Sequence, residues 1–231
     1  DVRELRIWEA SRGYGDIGYF GWNSISKHMA AYYMTGDEHH VREVIRLAFP
    51  DAEAKQQIAD IDGERIENKD EPLSGPYHYN AHMHPIIWDL IEESPVFSEK
   101  DRLAIVNKLL TKARGGDGTA GRDKLLNCAK LHRESKKILD RHDAMHANCT
   151  LTHSRYFNTY WPAEEWSDNL DAVRTYYDRS MTSSKGWRDE GNMHTYLECP
   201  IIASQLLRDA RFVDSGALRH YAELLVRMTD N

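Results

Sequence analysis

Arg141-His142-Asp143-Ala144-Met145-His146, followed by Asn148 and His153, is the densest run of chemically versatile side chains in the sequence. If the run is helical, His142 and His146 stand four residues apart and project from one face. Two imidazoles so placed serve two chemistries. One is metal binding, because an HxxxH pair with an acid after the first His is the zinc-peptidase pattern. That acid is Asp143, and a third ligand would have to come from Glu164, Glu165, Glu190 or His194. The other is proton transfer. A second run, Trp187 to Tyr196, brings Arg188, His194 and Tyr196 to the point where a loop enters a helix. A phenol beside a cation becomes acidic enough to act as base or acid. Taken alone, a Tyr at the position of Tyr196 is more often a core aromatic with a satisfied hydroxyl. A third group, Tyr77, Tyr79, Asn80 and His82, sits in a long loop, where binding side chains concentrate. His82 and His84, at the loop-to-helix junction, read as solvated or capping groups.

The elements that position these residues are helices. Apolar side chains recur at helical period and alternating strand-like runs are scarce. Trp22, Ile25, Met29 and Tyr33 mark a helix that stops near Thr35-Gly36-Asp37, and Val41, Val44, Ile45 and Ala48 mark a second, closed by Phe49-Pro50-Asp51. Residues 51–62 read as a polar third helix and 63–81 as a loop. Ile86, Ile87, Leu90 and Ile91 predict a helix before Ser94-Pro95, and Ser98 to Asp101 form a capping-box pattern for the next. Leu103, Val106, Leu110 and Ala113 carry that helix to Gly115. Further on, Ala144, Ala147, Leu151 and Ser154 define a helix ending near Tyr160-Trp161-Pro162, and Trp166, Leu170, Val173 and Tyr177 define another. Thr195, Cys199, Ile202 and Leu206, with Pro200 as a kink, are followed by Leu218, Tyr221, Leu225 and Met228. About ten helices joined by short turns make an all-α antiparallel hairpin array. An (α/α) toroid, complete or incomplete, fits it best as a single domain over 1–231; an irregular bundle is the alternative. Trp88 and Trp166 fall at core positions.

Composition narrows the chemistry. The chain has 231 residues, with 30 basic and 37 acidic side chains for a net charge of −7, which disfavours general nucleic-acid binding. No run approaches the length of a membrane span. Six Trp, twelve Tyr and twelve His suit a protein that stacks on sugars and moves protons. The charge is uneven. Segment 51–71 is strongly acidic, whereas Arg122, Lys124, Lys130, Arg133, Lys136, Lys137 and Arg141 form a basic approach to His142. Such a run is either a solvated face or a path for an anionic substrate. Cys128, Cys149 and Cys199 include no CxxC pair and read as buried small side chains rather than a disulfide framework. Residues 1–20 are polar, without a signal-peptide pattern, and begin without Met. The expectation is a trimmed chain, part of something longer.

Taken together, His142 to Tyr156-Phe157, Trp166, Asp189-Glu190-Gly191 and Tyr196 resemble the α/α-toroid polysaccharide lyases of the alginate lyase and heparinase II/III-like superfamily. That family carries a His, commonly preceded by Asn, at the start of an inner helix. A Tyr follows fifty-odd residues later in a helix reading roughly Y-H-x-Y. In this sequence His142 and Tyr196 are 54 apart, and Met193-His194-Thr195-Tyr196 is similar to that helix. The stretches Ala30 to Asp37 and Trp88 to Ile91 also resemble helical repeats of the superfamily. The resemblance implies β-elimination on a uronate-containing glycan, with Tyr196 as acid or base, His142 assisting, and Arg188 beside the substrate carboxylate. Arg141 stands where the family has Asn and would serve as a bidentate carboxylate donor. Tyr79, Asn80, His82, His146 and His194 would line the substrate cleft. It further implies no cofactor and no metal, a secreted or periplasmic location, an acidic polysaccharide as partner, and a missing C-terminal β-sandwich domain. Two other readings stand beside it. One is an α/α-barrel glycoside hydrolase using carboxylates such as Asp89, Glu190 and Glu198; the other is a non-catalytic toroid fragment that binds glycan.

Overall fold

The structure, a computed structural model, describes residues 20–49, 51–53, 82–114, 141–180 and 193–229. All nine elements among the described residues are helices, as the periodicity predicts. The described residues fall into two compact units, one up to Lys112 and the other from Ala113 onward.

The first unit holds α1 (Phe20–Thr35), α2 (Glu38–Ala48), α3 (Met83–Asp89) and all but the last residue of α4 (Glu99–Ala113). The Thr35-Gly36-Asp37 break is built from two caps. Gly36 lies at φ +68, and its N–H donates to the Tyr32 carbonyl at 2.7 Å. That is the left-handed stop that glycine permits without a Cβ penalty. Asp37 is extended and accepts from the His39 N–H at 2.9 Å, capping α2. α2 then buries His40, Val41, Val44, Leu47 and Ala48, and it packs on α1, which also packs on α3. On α1, Met29 is fully buried while Tyr33 is 61% exposed, so the predicted stripe does not extend to Tyr33.

The capping box at α4 is reciprocal. The Asp101 N–H donates to Ser98 Oγ at 3.2 Å and the Ser98 N–H to Asp101 Oδ2 at 3.0 Å. The buried face of α4 is Ile105, Leu109 and Ala113, whereas Leu103 is largely exposed. The seam follows i, i+4, i+8 spacing and shares Ala113 with the predicted stripe, while Val106 and Leu110 lie at its margin and Leu103 outside it. Arg102 fastens the turn after α3, donating from Nε to the Glu92 carbonyl at 2.7 Å and from Nη2 to the Ser94 carbonyl at 2.8 Å. Trp88 is fully buried and meets Phe97 edge-on.

The second unit contains α5 (Arg141–Tyr160), α6 (Glu164–Ser180), α7 (Met193–Leu207), α8 (Arg211–Asp214) and α9 (Ala217–Thr229). α5 and α6 form an antiparallel hairpin. The Ser167 hydroxyl donates to Asn158 Oδ1, and ten residues back along α5 and ten forward along α6 the Tyr177 hydroxyl donates to Asn148 Oδ1. Phe157 stacks on Trp166 at the closed end, centroids 5.0 Å apart, with Trp166 3% exposed. Such a stack adds about 0.5–1.5 kcal/mol to the burial of the rings. α5 is buried on every side from Ala147 to Ser154. α7 packs against α5, α6 and α8, and α8 against α9.

Two features of α7 stand against local preference. Pro200 lies inside the helix, which continues through it. Having no N–H, Pro200 gives no bond to the Tyr196 carbonyl four residues earlier. The helix ends in a Schellman motif: the Asp209 N–H donates to the Ser204 carbonyl at 2.9 Å, with Arg208 at φ +53 where glycine is usual. Arg211 then joins Asp209 to Asp178 of α6, donating to Asp178 Oδ1 at 2.7 Å.

Candidate functional site

Arg141 and His142 are the first two residues of α5, and His194 and Tyr196 fall in the first turn of α7. His146 lies on α5 one turn beyond His142, on the same face. The side chains of Arg141, His142, His146, His194 and Tyr196 lie outside the described residues; their helices are within them. Arg188, Tyr79 and Asn80 lie wholly outside. α5 and α7 pack against each other within one unit. Both helices direct the partial positive charge of their N-termini at whatever lies ahead of their first turns. In α7 no acidic side chain offsets that charge in the first turn.

His82 and His84 belong to the first unit and are each 1% exposed. The expectation of solvated or capping histidines is therefore corrected: His82 occupies the N-cap position of α3 without a side-chain capping bond, and both rings are in the core. Packing of Pro85 and Trp88 on the same short helix, with Ile91 in the turn after it, draws them inward. Cys149 is buried, as its small apolar character suggested. Among the described residues no three His, Cys, Asp or Glu side chains are disposed to share a metal ion.

No protein-family model, curated protein or solved structure matches this chain.

Behind the N-terminal end of α5 lies a polar interior that periodicity did not reveal. Asn148, Thr150, Thr152, His153 and Ser154 are all at most 3% exposed. Asn148 Oδ1 accepts from the Tyr177 hydroxyl at 2.6 Å, and its Nδ2 has no hydrogen-bond partner among the described residues. The His153 Nδ1–H donates to the Cys149 carbonyl at 2.9 Å, which fixes the ring's orientation inside the core. The signal available in the sequence was Ala147 to Ser154, where polar groups occupy every face of a helix that must be buried by its neighbours.

At the opposite end of α5, Tyr160 and Trp161 are 45% and 50% exposed, seated on Tyr156 and Phe157 with ring centroids 5.1 and 5.9 Å away. Arg114 lies over the Trp166 ring, 5.7 Å from its centroid, and pairs with Glu165. Eighteen residues of helix separate Tyr160 from His142, about 27 Å.

Proposed function

We propose that this protein is a polysaccharide lyase that cleaves a uronate-containing glycan by β-elimination, built on a complete or partial (α/α) toroid. The observation that supports it is the packing of α5 on α7, which joins the helix that begins Arg141-His142 to the helix that begins Met193-His194-Thr195-Tyr196. Two helix N-termini with an Arg and two His in their first turns suit an anionic sugar ring.

In the proposed reaction the base removes the proton at C5 of the uronate. The electrons form the C4–C5 double bond, the C4–O bond breaks, and the departing oxygen takes a proton. Tyr196 serves as base and then as acid, with His142 polarising it. Arg141 and Arg188 neutralise the carboxylate, so that the C5 proton is acidic and the developing enolate is stabilised. The Tyr196 carbonyl, receiving no bond from Pro200, adds an acceptor for a sugar hydroxyl.

Incubation with alginate, glucuronan and heparin-type glycans tests the reading. A lyase generates ultraviolet-absorbing unsaturated ends, and a hydrolase generates reducing ends without that absorbance. Tyr196→Phe and His142→Ala are each expected to lower turnover by about 10²–10⁴-fold, the usual worth of a positioned acid or base. Activity that survives Tyr196→Phe removes that residue from the mechanism.

A second reading, glycan binding without catalysis, draws on the Tyr160–Trp161 platform, whose half-exposed rings rest on a buried aromatic base. Retention on an immobilised glycan that is lost in Trp161→Ala, with no unsaturated product from any glycan, supports it over the lyase.

A further inference from the structure

The turn from α5 to α6 presents Tyr160 and Trp161 at the end of α5 far from His142, 45% and 50% exposed. Pro162 disfavours helical backbone at the residue before it, so α5 stops and Trp161 stands at its end. The Trp161 N–H still donates to the Phe157 carbonyl at 2.7 Å, and its ring centroid lies 5.9 Å from those of both Tyr156 and Phe157. Those two inner rings are 3% and 2% exposed. A large apolar face is thus held in place toward solvent, and a ligand that covers it finds little side-chain freedom left to freeze.

Size and charge select the ligand. An aromatic side chain carries about 150–250 Å², so two half-exposed rings offer on the order of 200 Å². A stable protein partner covers about 800 Å² on each side; one sugar ring matches the smaller area. Tyr160 and Trp161 are tilted 59° to each other, so a flat ligand stacks on one and meets the other at an angle. Trp161, the larger and more exposed, is the stacking ring. Asn158, one turn back on α5, accepts from the Ser167 hydroxyl at 3.2 Å, which sets an amide and a hydroxyl beside the rings for sugar hydroxyls to bond. Glu164 and Asp168 expose carboxylates in the first turns of α6. Of the cations at this end, Arg114 is paired with Glu165 and covers Trp166, and Arg155 leaves α5 about 120–140° around the helix from the two rings. A uronate stacked on Trp161 would bring its carboxylate to an acidic rim, whereas an uncharged ring brings none. Flat stacking also needs a face of axial C–H bonds, which a pyranose with equatorial hydroxyls has.

We infer that Trp161, flanked by Tyr160 and Asn158, is a stacking site for an uncharged pyranose with equatorial hydroxyls, as in a β-linked glucan. The inference rests on the glycan-binding reading above and names its sugar; it does not depend on the lyase chemistry.

The test follows tryptophan indole resonances of the isotope-labelled full chain during titration with cellohexaose and with the glucuronate hexamer of the same linkage. The glucuronate arm is repeated in His142→Ala, where no cleavage consumes it. The indole signal that vanishes in Trp161→Phe should shift with cellohexaose, with a Kd on the order of 1 mM. Affinity should fall about tenfold in Trp161→Ala and about threefold in Tyr160→Ala. It should hold constant between about 50 and 500 mM salt, because no ion pair is involved. The glucuronate hexamer should bind about fivefold more weakly. Silence of that signal toward both sugars at about 10 mM defeats this inference and the glycan-binding reading together. Glucuronate binding as tight as cellohexaose or tighter overturns the inference alone and leaves a glycan site of another class. Trp161-dependent retention on phosphatidylcholine vesicles without cellohexaose binding overturns it too, and would assign the rings to a lipid surface.

Discussion

The Tyr177 hydroxyl donates to Asn148 Oδ1 at 2.6 Å across the α5–α6 hairpin, and both side chains are sealed from solvent. A hydrogen bond in that setting fixes register as much as it adds stability. Sliding α6 by one residue against α5 would leave the carbonyl oxygen of a fully buried amide without its donor.

Tyr177→Phe removes that donor alone. The buried acceptor left behind should cost about 1–3 kcal/mol, read as a lower urea midpoint with an unchanged slope. Adding Asn148→Leu removes the stranded acceptor, and the double variant should recover part of the loss. A double variant less stable than the sum of the two single changes would mean that the pair is not coupled in this way.

Pro200 suggests an exchange of stability against activity. Pro200→Ala restores a donor to the Tyr196 carbonyl inside α7 and should raise stability, by up to about 3 kcal/mol where the site tolerates the change. If that carbonyl engages substrate, glycan turnover should fall while thermal unfolding moves upward. A gain in both would detach the proline from function.

Glu43 gives α2 a defined acid response. The Arg46 hydrogen bonds hold its carboxyl below the ordinary glutamate value of 4.5, against the opposing effect of burial. A depressed carboxylate stabilises the fold fully above its unfolded value and loses that contribution as the pH drops through the folded one. Wild type should therefore exceed Arg46→Met by about 0.5 kcal/mol near neutrality, and the gap should close in acid. Urea midpoints measured from about pH 3 to 6 follow it. A gap that widens toward low pH would contradict the sign.

Two backbone positions with positive φ should respond in opposite directions. Arg208, at φ +53, carries a Cβ in left-handed backbone, and Arg208→Gly should stabilise by about 1 kcal/mol. Gly36, at φ +68, has nothing within 4 Å of where a Cβ would sit. Gly36→Ala should thus cost only the conformational term, about 1–2 kcal/mol. Thermal melts of the two variants decide both.

How far the sequence reaches depends on whether the signal is local. The Gly36 stop, the Ser98–Asp101 box and the burial of Val41, Val44, Trp88, Trp166 and Val173 were legible because each depends on neighbours within a turn or on strong amphipathicity. Leu103 misled because Ile105 and Leu109 are equally apolar, and only packing selects between the two seams. His82 and His84 misled because polar residues at the start of a helix ordinarily face water, whereas here they share the buried side of a short helix with Pro85 and Trp88. The Asn148–Tyr177 bond joins residues on different helices, and no spacing rule announces it. For the candidate site, the helices that carry His142 and Tyr196 were legible from their periodicity; that they lie near one another came only from the family resemblance, because no spacing rule brings residues 54 apart together.

The stretch of α5 from Ala147 to Ser154, enclosed on all sides, has a dynamic consequence. Its amide protons have no exposed face from which to fray, so their exchange with deuterium requires the second unit to open as a whole. Those amides should be among the slowest in the chain, and their rates should report the opening free energy of the unit directly.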